Sequence, residues 1–124
     1  MLASEKIIGF VPITDEVRAK CFYVGILGLT FVSEDPFAVV LDANGTMIRL
    51  TKVSELKPQP FTIVGWQVSD VVATVTRLQA AGITFERYGE FMQQDELGIW
   101  NAPGGTKVAW FKDPDGNTLS VSQH

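Results

Sequence analysis

The 124-residue chain predicts an α+β fold of two tandem βαβββ modules, and three observations carry that expectation. Thr14-Asp15 opens a segment that closes on Gly28-Leu29-Thr30-Phe31, and Ser69-Asp70 opens one that closes on Gly82-Ile83-Thr84-Phe85. The copies lie 54 to 55 positions apart, so one supersecondary unit is used twice. Each copy is then followed by a turn between apolar runs, Asp42-Ala43-Asn44-Gly45 in the first and Asp113-Pro114-Asp115-Gly116-Asn117 in the second. The expected organisation is a single domain with modules at residues 5–53 and 60–124 and a connector at 54–59. Two such halves are expected to face each other across a cleft.

Residues 6–13 are apolar and partly β-branched and read as a strand ending at the helix cap Thr14-Asp15. From 16 to 27, Val17, Cys21, Phe22 and Val24 fall at helical spacing, and Gly28 supplies the stop. Strands follow at 29–33, 37–41 and 46–52, the last two flanking Asn44-Gly45. In the second copy 61–68 repeats the first strand. Residues 71–80 contain mediocre helix formers, Val71, Val72, Thr74, Val75 and Thr76, but Val71, Val75 and Leu78 make a helical stripe after the Ser69-Asp70 cap. Strands are expected at 84–88, 107–112 and 118–122. The insertion at 89–105 is long enough to be functional or mobile.

Composition narrows the partners. With 46% hydrophobic residues, 19% charged residues and a net charge of -4, the chain has no basic face for nucleic acid. No apolar run approaches the roughly 20 residues a membrane span needs, and no signal-peptide pattern opens the sequence. The single Cys21 cannot form an internal disulfide, which makes a reducing, cytoplasmic setting the expectation. On the apolar helix stripe, Cys21 reads as a buried inert thiol.

Phe22-Tyr23, Leu27-Gly28-Leu29 and the closing Phe111-Lys112-Asp113-Pro114-Asp115-Gly116-Asn117 together resemble the vicinal oxygen chelate superfamily. That superfamily holds glyoxalases, extradiol dioxygenases, epimerases and drug-sequestering resistance proteins. The resemblance covers nearly the whole chain and implies curved mixed sheets around a cleft, commonly in a homodimer. Metal-using members place a His or Gln seven residues before the capping Asp and a Glu four residues after the hairpin Gly. Those positions hold Ile8, Ile63, Arg49 and Ser120 here, none of which offers an imidazole or carboxylate. A guanidinium ~4 Å from a divalent ion would oppose binding by several kcal/mol. The only histidine is His124, at the C-terminal end. No metal or other cofactor is expected.

Strand alternation then puts Met47, Arg49 and Thr51 on one face and Ile48 and Leu50 on the other. Thr118, Ser120 and Ser122 likewise oppose Leu119 and Val121, and Ile63, Gly65 and Gln67 share a face. A surface of this kind, walled by Ile8, Phe10 and Ile63, suits a small amphipathic molecule. Arg49 either clamps an anionic group on it or serves a structural ion pair. Gln67, Ser120, Tyr88, Trp100, Met47 and Phe10 are the further candidate ligand contacts. The insertion, with Phe91, Met92, Gln93, Gln94, Asp95, Glu96 and Trp100, is a lid or a dimer contact, and Asp95 or Glu96 is the only candidate general base.

The leading expectation is therefore a metal-free, homodimeric member-like protein that holds a small organic molecule between its modules. Two alternatives stand beside it. One is a glyoxalase- or dioxygenase-like enzyme using a non-standard metal site or Asp95/Glu96 as base. The other is a non-catalytic subunit or regulatory module.

Overall fold

The computed structural model describes residues 1–124, which divide into two compact units, Met1–Lys57 and Pro58–His124. The first unit runs β1 (Ile8–Ile13), α1 (Glu16–Lys20), β2 (Thr30–Glu34), β3 (Ala38–Ala43) and β4 (Thr46–Lys52). The second runs β5 (Thr62–Gln67), α2 (Val71–Ala80), β6 (Trp100–Asn101), β7 (Lys107–Lys112) and β8 (Thr118–Gln123). In each unit the first strand lies parallel to the last, an arrangement a crossover helix permits, and hairpins add the rest antiparallel.

The strand orders are β1-β4-β3-β2 and β5-β8-β7-β6, two separate four-stranded sheets. This corrects the expectation of curved sheets wrapped around a cleft. Each sheet is open, and no ladder closes either one on itself or joins it to the other, because β1, β2, β5 and β6 each have a single paired neighbour.

In the first unit Val11, Ile13, Val39, Leu41 and Leu50 are buried together with Ala19, Phe22 and Tyr23. The helical stripe differs from the sequence reading. The α-helix stops at Lys20, and Cys21–Ile26 continues as a wider π-turn whose closing bond runs from Leu27 N–H to Phe22 O (2.9 Å). In the wider turn the adjacent Phe22 and Tyr23 are both buried, while Val17 and Cys21, one helical turn apart, share the solvent face. Cys21 is therefore an exposed thiol, not a buried one. Gly28, at φ 81°, gives the chain the left-handed turn into β2.

Helix α2 forms despite its valines and threonines because burial and capping outweigh propensity. Asp70 Oδ1 accepts from Ala73 N–H (3.1 Å), and Val71 N–H donates to Gln123 Oε1 (2.9 Å). Val71 and Val75 are fully buried as α2 packs on β7 and β8, each worth roughly 1.5–3 kcal/mol against ~0.5 kcal/mol per residue of lost propensity.

The expected strand at 84–88 is absent. One bridge, Phe85 to Phe111, and one bond, Glu86 N–H to Trp110 O (2.8 Å), tie this segment to β7. Beyond that point the Gln94 side chain takes the segment's polar groups: Oε1 accepts from Tyr88 N–H (2.8 Å) and Nε2 donates to Glu86 O (2.9 Å). The edge position beside β7 goes instead to the two-residue β6, which the sequence reading left inside the insertion.

Glu34 joins β2 to two neighbours, accepting from Lys20 Nζ and Lys52 Nζ, both at 2.7 Å. The Lys20 bond, then that of Lys52, holds its carboxyl below the ordinary value of 4.5. Because the folded-state pKa is depressed, this contribution is complete above about pH 4.5 and is lost as pH falls through the lower folded value. Asp35 adds in the same direction, held down by N–H donation from Phe37 and Ala38. Melting temperature measured from pH 6 to about pH 2.5 should fall less steeply in Glu34→Gln than in the parent. Parallel curves would remove the Lys20–Glu34–Lys52 cluster as a source of the acid sensitivity.

Candidate functional site

The faces of the first sheet follow from register. Ile8 pairs with Met47 and Phe10 with Arg49 across the parallel β1–β4 ladder, and Val40 flanks Arg49 from β3. Ile48 and Leu50, on the opposite face, are buried, while Ile8, Phe10 and Met47 stay exposed. Arg49 is half-buried with no ion pair, and its charge contributes to holding the Asp35 carboxyl below the usual range after the Phe37 and Ala38 N–H bonds.

In the second unit β8 is central, and both its faces are buried between Thr118 and Val121. Ser120 is 8% exposed and sits directly beside Gly65. A Cβ at Gly65 would lie 2.6 Å from Ser120 Oγ, so this glycine is what lets β5 approach so closely. Ile63 and Gln67 remain exposed on β5, and Gln67 lies beside Ser122.

Around Trp110 the second unit builds an aromatic cavity of about 300 Å³. Phe61, Tyr88, Phe91, Met92 and Trp110 form its walls, with Thr62 and Thr118 as polar edges. Trp110 is placed by alternation on β7, since Ala109 and Phe111 turn to the core and their neighbour turns away. Its indole Nε1–H donates to Thr62 Oγ1 (3.0 Å). Tyr88 stands edge-on to it at 5.5 Å and 82°, and Trp100 lies at 6.0 Å and 33°. Burial, with Glu86 assisting, pushes the Tyr88 phenol above its ordinary value. Phe91, on the short helical turn Gly89–Phe91, is 94% exposed at the cavity rim.

The insertion behind this cavity is firmly pinned. Gln94 Nε2 donates also to Gly98 O (2.8 Å), and the Arg87 guanidinium donates to the carbonyls of Asp95 and Glu96. Asp95 Oδ1 accepts from the N–H groups of Leu97 and Ile99, both at 2.9 Å, so one carboxylate oxygen of this candidate base closes a turn. Glu96 is exposed, and neither acid lines the aromatic cavity.

Of the proposed ligand contacts, then, Tyr88 is in the aromatic cavity and Trp100 packs near it; Phe10, Met47 and Arg49 share one face of the first sheet. Trp110, Phe61 and Thr62 are cavity residues that the sequence reading did not single out. The signal for Trp110 was available in the alternation Val108, Trp110, Lys112 against Ala109, Phe111.

The positions at which the resemblance implies metal ligands do not fit an ion. Ile8 and Ile63 have no donor atom, Arg49 is cationic, and Ser120 is a buried hydroxyl. No group of three or more His, Cys, Asp or Glu that could hold a metal exists in the chain. No helix is long and apolar enough to cross a membrane.

Comparison with known proteins agrees with this architecture. No curated protein matches the chain. Among solved structures, a glyoxalase/bleomycin resistance protein/dioxygenase superfamily member from Sphaerobacter thermophilus shares 23% identity at a TM-score of 0.76, covering 100% of both chains. TnmS3, an antibiotic binding protein from a Streptomyces species, shares 26% identity at a TM-score of 0.74, covering 99% of this chain and 98% of its own. A lactoylglutathione lyase from Agrobacterium tumefaciens shares 19% identity at a TM-score of 0.75, covering 99% and 96%. The sequence profile of the Glyoxalase/Bleomycin resistance protein/Dioxygenase superfamily matches residues 10–121, nearly the full length. With two βαβββ modules and a profile match of that extent, the chain belongs to the glyoxalase/bleomycin resistance protein/dioxygenase superfamily.

Proposed function

We propose that this protein binds a planar aromatic small molecule, without a family-type metal, in the cavity of its second unit. The observation that carries the reading is the cavity of about 300 Å³ walled by Phe61, Tyr88, Phe91 and Trp110. Flat rings on several sides, a thioether at Met92 and two hydroxyl edges match a fused-ring molecule bearing one or two polar substituents. Phe91, held out in solvent, gains apolar contact once such a molecule is seated. The likeness to the Streptomyces antibiotic binding protein supports sequestration rather than turnover. In the first unit, Arg49 beside Phe10 and Met47 is assigned to contact with an anionic group.

Titration with neutral, anionic and cationic fused-ring probes, read by tryptophan emission, tests this reading. At least one probe should quench saturably with a Kd of about 1–10 μM. Absence of saturable quenching by every probe up to its solubility limit would overturn it.

Self-association belongs to the same proposal. The edge strand β2 leaves Phe31 and Val32 exposed, and Phe37 in the following turn is 74% exposed. Unpaired edge groups beside exposed rings favour a second copy of the chain. Light scattering at micromolar concentration should return twice the 13.6 kDa chain mass, and a monomer mass would remove the dimer from the reading.

A further inference from the structure

Trp100 faces a second cavity, of about 550 Å³, whose other residues are Gln93, Gln94, Asp95, Asn101 and Pro103. Its chemistry differs from that of the aromatic cavity. One indole and one proline ring supply the apolar walls, and amides and a carboxylate supply the rest. Gln94 is fully used inward by its three bonds to Tyr88, Glu86 and Gly98. Gln93 and Asn101, both exposed, make no side-chain hydrogen bond, and Asp95 commits only Oδ1, leaving Oδ2 open. Residues carrying two free amides and one free carboxylate oxygen therefore line the same groove as Trp100.

We propose that this groove binds a pyranose ring, a free or conjugated hexose unit. A sugar hydroxyl donates and accepts at once, which suits an amide carrying both functions and a carboxylate oxygen that only accepts. The C–H face of a pyranose is apolar and flat, and Trp100 offers the matching surface. The lining has no Lys or Arg, and Asp95 repels anions, so phosphorylated sugars and nucleotides are disfavoured. A bare planar base would use the indole but leave Asp95 Oδ2 without the donors that vicinal hydroxyls supply.

The site is independent of the aromatic cavity in its lining: Phe61, Tyr88, Phe91 and Trp110 take no part in it. The experiment uses the ¹⁵N-labelled full chain, with adenosine as a control, and three probes: methyl β-D-glucopyranoside, methyl α-D-mannopyranoside and methyl β-D-galactopyranoside. At least one should shift the Trp100 indole and the Gln93 and Asn101 side-chain amides with a Kd of order 1–20 mM. Asn101→Ala, an exposed substitution that leaves the fold intact, should weaken that binding about fivefold, and Trp100→Ala about tenfold or more. Three results would each overturn the proposal: no shift with any glycoside, shifts indifferent to Asn101→Ala, or shifts produced by adenosine instead. None of them bears on whether fused-ring probes quench tryptophan emission in the other cavity.

Discussion

Trp110→Ala is expected to weaken fused-ring ligands about a hundredfold, close to 3 kcal/mol. The indole joins an aromatic wall of the cavity to its polar edge and packs beside Trp100. It meets Tyr88 edge-on at 5.5 Å, lies 6.0 Å from Trp100, and fixes Thr62 Oγ1 through a 3.0 Å bond. Its removal deletes the largest flat surface and lets Tyr88 and Thr62 lose their positions. The fold should survive, because Trp110 turns away from the core that Ala109 and Phe111 enter and is only half-buried. Circular dichroism of the variant should therefore match the parent. Trp66, outside the cavity lining, is the control, and Trp66→Phe should retain the parent affinity. A Trp110→Ala protein that binds within about threefold of the parent would mean the ligand sits elsewhere.

Much of the architecture was legible in the residues. Thr46–Lys52 and Lys107–Lys112 stand at the ends read for them, because alternation and a hairpin turn fix both limits. Helix α2 was readable against propensity, since the Val71, Val75, Leu78 stripe and the Asp70 cap both point to it. What failed did so for identifiable reasons. The π-turn at Cys21–Ile26 has no periodicity that a 3.6-residue pattern can detect, and the stripe read through Val17 and Cys21 lies on the solvent side. Residues 84–88 follow the second helix where a strand was expected, yet a glutamine six residues beyond Tyr88 satisfies polar groups of this segment in place of a neighbouring strand. No local pattern announces a side chain standing in for a ladder.

The same contrast holds at the site. Tyr88 and Trp100 could be named because aromatics in or near a long insertion attract attention, and both lie close to Trp110. Trp110 itself was hidden in a strand that reads as plain core until its two faces are separated. Ser120 follows from its alternation, but its near-complete burial does not. That depends on Gly65 across the ladder, a relation between residues 55 positions apart.

Asp113→Ala is expected to remove about 3 kcal/mol or more of stability, the largest single effect anticipated outside the apolar core. Asp113 is 5% exposed and organises the turn between the central strands β7 and β8. Its Oδ1 accepts from Asp115 N–H and Asn117 N–H, and its Oδ2 accepts from Asn117 Nδ2–H, all at 2.9 Å. Asn117 is itself 3% exposed, so alanine at 113 removes the carboxylate acceptor that two of its buried donors use. Asp113→Asn separates the geometry from the charge. It preserves one oxygen for the two backbone donors but sets its own NH₂ against that of Asn117, so about half the loss should remain. The double variant Asp113→Ala/Asn117→Ala should cost less than the sum of the single ones, because both single variants lose the same Asn117 Nδ2–Asp113 Oδ2 bond. For a chain of this length total stability is of order 6–15 kcal/mol, so the single alanine variant should show a clearly lower urea midpoint at unchanged slope. A midpoint shift equivalent to under about 1 kcal/mol would mean that the tight backbone turn, closed by Gly116 N–H to Asp113 O at 3.0 Å, holds β7 against β8 without the carboxylate.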